Sequence, residues 1–138
     1  EVELAQVLSC SPWVAKVFAL QPNVLLDLLA SGDLHSAYDA QRWRELLADC
    51  CARDITEEAL GLALRRLRQR EQCRLIWRDM NRLDHFQGLT ADLSALADHC
   101  IEAALDCVYR IMCADLGTPC DADGTAQRLV VLGRRRTR

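Results

Sequence analysis

Apolar side chains recur at intervals of three and four residues along most of the chain, which is the spacing of an α-helix. The longest such segment runs from Thr56 to Leu83. Thr56 can cap a helix, and Glu57 and Glu58 lie in the first turn, where the helix dipole favours negative charge. The pattern therefore predicts a single helix of about seven turns. Its regularly spaced apolar positions are Leu60, Leu64, Leu67, Ile76, Met80 and Leu83.

Capping signals predict two short helices nearer the N-terminus. Ser11 followed by Pro12 is typical of a helix start, and the apolar pattern then runs to about Leu20. Pro22 starts the next helix, which is very apolar. This helix should end at Gly32, because glycine readily takes the left-handed conformation that closes a helix.

A further short helix and a second long helix complete the pattern. The short one should run from Ala40 to about Cys51, and the long one should begin at Thr90 and end at Gly117. Because the connection after Leu83 is short, the two long helices should pack antiparallel. Aromatic residues make up only 5% of the chain, and leucine and alanine dominate the apolar set, which favours helix over sheet. We therefore predict an all-α helical bundle with two long antiparallel helices.

Residues 128–133 break the helical pattern. Their sequence, Arg-Leu-Val-Val-Leu-Gly, has the form of a buried β-strand followed by a glycine. Because a strand needs partners, we expect it to belong to a sheet whose other strands are encoded beyond this chain. The expected organisation is a helical N-terminal segment at 1–127, the first strand of a truncated domain at 128–133, and a disordered, non-native tail at 134–138. We also expect the native chain to begin before Glu1.

Length and hydropathy narrow the class of protein. The 138 residues are enough for one domain that buries about two-thirds of its unfolded surface. No apolar run approaches the ~20 residues of a membrane span, and the first residues lack the basic start of a signal peptide. We therefore expect a cytoplasmic protein with no membrane partner.

The formal charge of -3 is unevenly distributed along the chain. Four of the 17 basic residues lie in Arg134–Arg138, which leaves 13 basic against 20 acidic residues elsewhere. A basic tail can bind nucleic acid, but this one lacks interleaved aromatic residues and any recognised module. We therefore expect no nucleic-acid partner.

Eight cysteines raise the question of disulfides or a metal site. They are Cys10, Cys50, Cys51, Cys73, Cys100, Cys107, Cys113 and Cys120. None forms a Cys-x-x-Cys pair, and most lie on apolar helix faces, as expected of reduced, buried thiols. Cys100 and Cys107 are two turns apart, about 10 Å along the helix, which is too far to bind one ion. We expect no disulfides and no bound metal.

The first long helix also carries seven arginines. They are Arg65, Arg66, Arg68, Arg70, Arg74, Arg78 and Arg82. Most of them lie away from the apolar positions on the helical wheel, which favours a solvated face with local ion pairs. The expected pairs are Glu71 with Arg68 and Arg74, and Asp79 with Arg82. The alternative is a surface that binds phosphate or an acidic partner. Trp77 is expected in the core with its indole N–H hydrogen bonded.

No local motif positions a catalytic group. The chain has no Gly-x-Ser-x-Gly sequence and no phosphate-binding glycine loop. Asp121 and Asp123 alternate like a pair of metal ligands, but they lie beside Gly124, where a turn is the simpler explanation. The residues alone therefore predict no catalytic and no metal-binding side chain.

Several segments of the chain, taken in order, carry a resemblance to a known family. They are Ser9–Ala15, Gln21–Pro22 with Leu25–Leu29, Leu64–Glu71, Arg74–Asp79, Leu93–Asp98, and Gly117–Cys120 with Gln127–Gly133. Together they are similar to the N-terminal segment of the bacterial glutamine synthetase adenylyltransferase/adenylyl-removing enzymes. The similarity runs from about Leu8 to Gly133.

The resemblance implies a bifunctional enzyme with two nucleotidyltransferase domains, each preceded by helices. The first domain would remove AMP from a modified tyrosine of glutamine synthetase with phosphate, which gives ADP, and the second would attach AMP from ATP. Paired aspartates would hold Mg²⁺, whose charge stabilises the transferring phosphoryl group. A PII-type signal protein and glutamine would set the balance between the two activities.

The resemblance places the start of a nucleotide-binding turn at Gly133. From Arg134 onward the chain departs from the family's Gly-Lys-Leu-Gly turn and Ser-Asp-x-Asp strand. No catalytic residue is therefore carried over, and neither Mg²⁺ nor a nucleotide is expected to bind this chain. We expect an inactive N-terminal fragment that supports the adenylyl-removing domain. The alternative is a stand-alone helical protein-interaction module with a basic tail.

Overall fold

Six α-helices form the architecture of residues 2–48, 50–51 and 55–131, which are the ranges that the computed structural model describes. They are α1 (Val2–Cys10), α2 (Pro12–Leu20), α3 (Pro22–Ser31), α4 (Ala40–Ala48), α5 (Glu57–Met80) and α6 (Phe86–Leu116). Within these ranges the only β pairing is an isolated bridge between Cys120 and Ala126. The all-α prediction is confirmed.

Local capping signals set several of the helix ends. The Ser11 hydroxyl accepts a hydrogen bond from the Val14 N–H at 3.3 Å at the start of α2. The Thr56 hydroxyl accepts a hydrogen bond from the Ala59 N–H at 3.2 Å at the start of α5. Gly32 closes α3 with a left-handed φ of 73°. These predicted ends are confirmed.

The main apolar core lies where α1, α2 and α3 meet the second half of α5. Its buried members are Val7, Val14, Val17, Phe18, Leu28, Leu34, Cys73 and Trp77. Trp77 is thus a core residue, as predicted. The N-terminal helices therefore fold onto the long helix and do not form a separate unit.

The two long helices pack antiparallel, as predicted. Arg78 pairs with Asp84 close to the connection between them. Arg74, one turn earlier in α5, pairs with Asp92, further along α6. Because α1 and α3 also contact α5 and α4 contacts α6, the long pair forms the centre of the fold.

Two helices end earlier than predicted. α4 ends at Ala48 and not at about Cys51, where the chain bends. α5 ends at Met80 and not at Leu83, because Arg82 takes a left-handed backbone conformation with φ of 54°. A helix cannot continue through such a residue.

The second long helix begins earlier than predicted, at Phe86 and not at Thr90. The Thr90 hydroxyl lies inside the helix and donates to the Phe86 carbonyl at 2.9 Å. Gly88 does not interrupt the first turn, because the carboxylate of Asp84 packs where a Cβ would stand. A contact between residues four apart therefore accounts for a glycine in the first turn of α6, which was predicted to lie before the helix.

Residues 117–131 form an irregular segment that runs beside α6. Asp121 Oδ1 accepts hydrogen bonds from the N–H groups of Asp123 at 3.0 Å and Thr125 at 2.8 Å. The predicted turn at this position is confirmed. The side chain of Arg128 then reaches back to α6 and pairs with Asp106 at 2.7 Å.

The predicted strand at 128–133 is described only in part. Residues 128–131 form no strand with the described residues. Leu132 and Gly133, together with the predicted tail at 134–138, lie outside the described ranges. Membership of residues 128–133 in a sheet therefore stays a prediction.

The described helices differ in length and apolar character. None of them is both long enough and apolar enough to span a bilayer alone. α2 and α3 meet the length and composition criteria only together, as a pair bent by 98°.

Candidate functional site: a buried network of arginines and carboxylates

The arginine-bearing side of α5 is partly buried. Glu71 and Arg74 are 0% exposed, and Arg78 is 3% exposed. The prediction of a solvated face is therefore wrong for this part of the helix, whereas the predicted ion pair of Glu71 with Arg74 is confirmed. Solvent exposure is confirmed for Arg65, Arg66, Arg68 and Arg82. The predicted pairs of Arg68 with Glu71 and of Asp79 with Arg82 are not formed among the described residues.

The spacing of the buried charges explains their position. Glu71, Arg74 and Arg78 follow Leu67 at steps of four, three and four residues. They therefore continue the stripe that begins at Leu60, instead of lying on the opposite face. The contacts of α5 with the apolar core are made from a different face of the helix.

Glu71 is the centre of these charges. Its Oε2 accepts a hydrogen bond from Arg74 Nε at 2.7 Å. Its Oε1 accepts from Arg70 Nη1 and from the Tyr38 hydroxyl, the latter at 3.2 Å. Both carboxylate oxygens therefore have protein partners. We name this group the Glu71 network, and its members are Asp27, Asp33, Tyr38, Arg42, Arg70, Glu71, Arg74 and Asp92.

Arg74 connects three parts of the chain. Its Nη2 donates to Asp92 on α6 at 2.9 Å, and its Nη1 donates to the Ser36 carbonyl between α3 and α4 at 3.2 Å. Its guanidinium carbon lies 3.7 Å from the centre of the Tyr38 ring, a cation–π contact. Burial opposes the charge on Arg74, but Glu71 outweighs it and raises the pKa of the guanidinium further. Arg74 therefore carries its positive charge at neutral pH.

Asp33 is a second carboxylate with two arginine partners. It accepts a forked pair of hydrogen bonds from Arg42, at 3.1 Å and 2.6 Å, and another from Arg70 at 2.6 Å. Burial alone would raise the pKa of Asp33, but the hydrogen bonds from Arg42 and Arg70 hold it well below its ordinary range. Asp33 therefore connects α4 to α5 as an ionised group.

Arg70 and Tyr38 join the two carboxylates. Arg70 donates to Tyr38 Oη at 3.0 Å and to Asp27 on α3 at 2.5 Å. Burial and the negative charge of Glu71 raise the pKa of Tyr38, so its hydroxyl stays protonated and donates to Glu71. The Glu71 network is thus continuous from α3 and α4 through α5 to α6.

A separate pair of charges closes the end of α5. Arg78 Nη2 donates to Asp84 at 3.1 Å and Nη1 donates to the Leu34 carbonyl at 3.4 Å. The His85 N–H, together with Arg78, lowers the pKa of Asp84.

The indole N–H of Trp77 has no hydrogen-bond partner among the described residues. The prediction that this N–H would be hydrogen bonded is therefore wrong.

The cysteines do not form a reactive site. All eight lie in the described ranges, and no two of them lie at disulfide distance. Burial, with the negative charge of Glu71, raises the pKa of Cys73 to about 12. Burial also raises the pKa of Cys100. Such thiols stay protonated at neutral pH and are poor nucleophiles.

The chemistry available to the described residues is limited. They contain no group of three or more His, Cys, Asp or Glu side chains that could hold a metal ion. The carboxylates of the Glu71 network are already paired with arginines, and Asp121 is occupied by its own turn. This part of the chain therefore does not fit a Mg²⁺ site. The arrangement is suited to holding helices in a fixed relation.

Sequence reasoning missed most members of the Glu71 network. Asp33, Tyr38 and Asp92 are far from Glu71 along the chain, and no local pattern connects them to it. The one usable signal was the helical spacing, which places Glu71 and Arg74 on the same face as Leu67. Charges on an apolar stripe predict buried pairs.

The fold and the network together define an all-α helical module. A model of the family described as glutamate-ammonia ligase adenylyltransferase matches residues 2–136 of this chain. The chain therefore belongs to that family. The resemblance drawn from the sequence segments is confirmed.

Individual relatives agree with the family match. The chain is 36% identical, over 129 residues, to the bifunctional glutamine synthetase adenylyltransferase/adenylyl-removing enzyme of Pseudomonas syringae pv. tomato, covering 93% of this chain and 13% of that protein. It is 37% identical over 131 residues to the enzyme of the same name from Nitrosococcus oceani, covering 94% of this chain and 14% of that protein. The chain thus spans about one seventh of the length of these curated relatives. No solved structure matches it.

Proposed function

We propose that this chain is the N-terminal helical segment of a bifunctional enzyme that attaches AMP to glutamine synthetase and removes it. The family match across residues 2–136 carries the proposal. The relatives bear this activity in their names and are about seven times longer than the matched segment. The segment supports the adenylyl-removing domain that would follow it.

The Glu71 network supports a positioning role for the helices. Its ion pairs join α3, α4, α5 and α6, and breaking one of them leaves a charge in the interior. Removing one partner of a buried ion pair typically costs about 3–5 kcal/mol. The helices therefore move as one unit and present a fixed surface to a neighbouring domain.

The reaction itself would belong to the rest of the parent enzyme. We expect Mg²⁺, ATP and phosphate to bind there, on paired aspartates that the described residues do not supply. We also expect a PII-type signal protein to act on the parent, and the enzyme to work in the cytoplasm. The 138-residue chain alone should be inactive.

Phosphate-dependent release of ADP from adenylylated glutamine synthetase tests the proposal. A longer protein, extended through the domain that follows in the parent gene, should release ADP, and the 138-residue chain should not. Both proteins should be folded by circular dichroism before the assay. A longer protein that is folded yet releases no ADP would show that the assigned activity is wrong.

A further inference from the structure

A groove of about 480 Å³ lies between α5 and α6, with Trp13 of α2 at its edge. Among the described residues that line it, Asp79 is the only charged one. The hydroxyl of Thr90 is already bonded to carbonyl groups of its own helix. The groove is therefore suited to apolar side chains and not to a polar small molecule. Its apolar lining residues are Trp13, Leu75, Ile76, Phe86, Leu89 and Leu93.

Two exposed aromatic side chains belong to this groove. Phe86 is 79% exposed and Trp13 is 42% exposed, and Leu93 beside them is 51% exposed. Exposed apolar patches mark interaction sites, and aromatic residues are enriched at the centres of interfaces. The groove therefore has the composition of an interaction surface. The other aromatic residues of the chain are all buried or packed against an arginine, and they are Phe18, Tyr38, Trp43, Trp77 and Tyr109.

The backbone around the groove favours a helical occupant. The N–H and carbonyl groups along α5 and α6 are hydrogen bonded within their own helices. The groove therefore offers no backbone partners to a strand. A helix satisfies its own backbone and needs only side-chain contacts, so an amphipathic helix can pack as a third member beside two antiparallel helices.

The segment after α6 brings the chain back to the level of this groove. Arg128 pairs with Asp106 at 2.7 Å, and Val131 lines a cleft together with Asp98, about two turns nearer the start of α6. Leu93 precedes Asp98 by five residues, which is about 8 Å along the helix axis. At Val131 the chain is therefore close to the groove and directed towards the end of α6 where Phe86 lies.

We propose that an amphipathic helix from the remainder of the parent enzyme docks into this groove and covers Trp13, Phe86 and Leu93. The inference rests on the proposed function, since it takes its occupant from the parent polypeptide. The relatives are about seven times longer than the matched segment, so most of that polypeptide lies elsewhere. A helix in the same polypeptide has a high effective concentration at the groove, and a small apolar interface is then sufficient.

Hydroxyl-radical labelling, read by mass spectrometry, tests the docking at individual side chains. Trp13 and Phe86 should be labelled at least about 10-fold more slowly in the full-length parent enzyme than in the 138-residue chain, because a docked helix excludes water from them. Leu26 on α3 is 61% exposed, lies outside the groove and should be labelled alike in both proteins.

Three results of this labelling would overturn the proposal. Equal labelling of Trp13 and Phe86 in the two proteins would show that the groove stays open. Equal protection of Leu26 would show that the groove is not a particular docking site. Labelling of Trp13 in the 138-residue chain that slows as the protein concentration rises would show that the occupant is a second copy.

A carboxylate introduced into the groove tests the apolar contact. In the full-length parent enzyme, Leu93→Glu should speed the labelling of Trp13 by at least about 5-fold, because docking would then bury an unpaired charge. Met112→Glu is the matched control, since Met112 is 52% exposed on the same helix but lies outside the groove. The control should leave the labelling of Trp13 unchanged. In the 138-residue chain, where both positions are exposed, neither substitution should change the thermal midpoint. Equal effects of the two substitutions on Trp13 would contradict docking in the groove.

The same samples separate this inference from the proposed function. ADP release by a full-length parent enzyme whose Trp13 and Phe86 are labelled freely would reject the docked helix and leave the enzyme assignment intact. Protected Trp13 and Phe86 in a folded full-length protein that releases no ADP would support the docked helix and reject the enzyme assignment.

Discussion

Glu71 and Arg74 are fully buried charges on a helix whose other arginines are mostly exposed. Moving an ion out of water costs several kcal/mol, and only close, fully hydrogen-bonded partners offset that cost. Glu71 has three such partners, and Arg74 has Glu71, Asp92 and a carbonyl. The pair is therefore tolerated because the network around it is complete.

Arg74→Met tests whether the stability of the fold depends on a full set of partners for the buried charges. The substitution keeps an unbranched side chain but leaves Glu71 and Asp92 each with one partner fewer, so the free energy of unfolding should fall by about 3–5 kcal/mol. Arg68→Met, on the exposed side of the same helix, should change it by no more than about 0.5 kcal/mol. Urea unfolding followed by circular dichroism measures both. Equal losses would contradict the account.

The lowered pKa of Asp33 predicts that the free energy of unfolding depends on pH. Its pKa is lower in the folded chain than the ordinary value of about 3.9, so ionised Asp33 stabilises the fold above about pH 4, and this contribution is lost as the pH falls further. Asp33→Asn should therefore be less stable than the wild type at pH 7, with the difference narrowing by pH 3. Urea unfolding at pH 7, 5 and 3 provides the comparison. A constant difference across this range would refute the role assigned to Asp33.

At the scale of the elements, the helix ends that could be predicted from the sequence are those set by local contacts. Ser11 with Pro12 and Gly32 set their helix ends through contacts within a few residues, and these ends were predicted correctly. The start of α6 was not predicted correctly. Arg78 on the preceding helix holds Asp84, and the Asp84 carboxylate occupies the space that Gly88 leaves open. Such a contact exists only after the chain has folded.

The Glu71 network escaped prediction for the same reason. A solvated face was predicted, although the four-residue step from Leu67 to Glu71 is consistent with burial. The partner Tyr38 lies in an irregular connection between helices. Periodicity identifies which side of a helix is buried, whereas it does not identify the residues that come to lie against it.

Two glycine substitutions test the element-scale account. Gly88→Ala would push the Asp84 carboxylate away from Arg78, and losing that charged hydrogen bond should outweigh the better helix propensity of alanine, for a net loss of about 1 kcal/mol. Gly61→Ala on α5 is the control. Its nearest neighbour is a guanidinium nitrogen of Arg65 at 3.5 Å, an ordinary contact, so it should stabilise by about 0.5–1 kcal/mol. Stabilisation by both substitutions would show that Asp84 does not depend on Gly88.

At the scale of the whole molecule, the family could be identified from ordered sequence segments, and the match over residues 2–136 confirms it. Composition and periodicity alone did not identify it, because regularly spaced apolar residues predict helices in many unrelated families. In the proposed function, the module acts through the surface that it holds for a neighbouring domain, and the ion pairs of the Glu71 network hold its helices together.

The most direct test asks whether the catalytic activity of the longer protein depends on the integrity of the helical segment. Arg74→Met should lower the thermal midpoint of the 138-residue chain by about 10 °C or more, and Arg68→Met should leave it nearly unchanged. In the longer protein, the temperature at which phosphate-dependent ADP release is lost should fall by a similar amount with Arg74→Met and stay constant with Arg68→Met. If Arg74→Met lowers the midpoint of the 138-residue chain but ADP release is lost at the wild-type temperature, the helices do not support the adenylyl-removing domain.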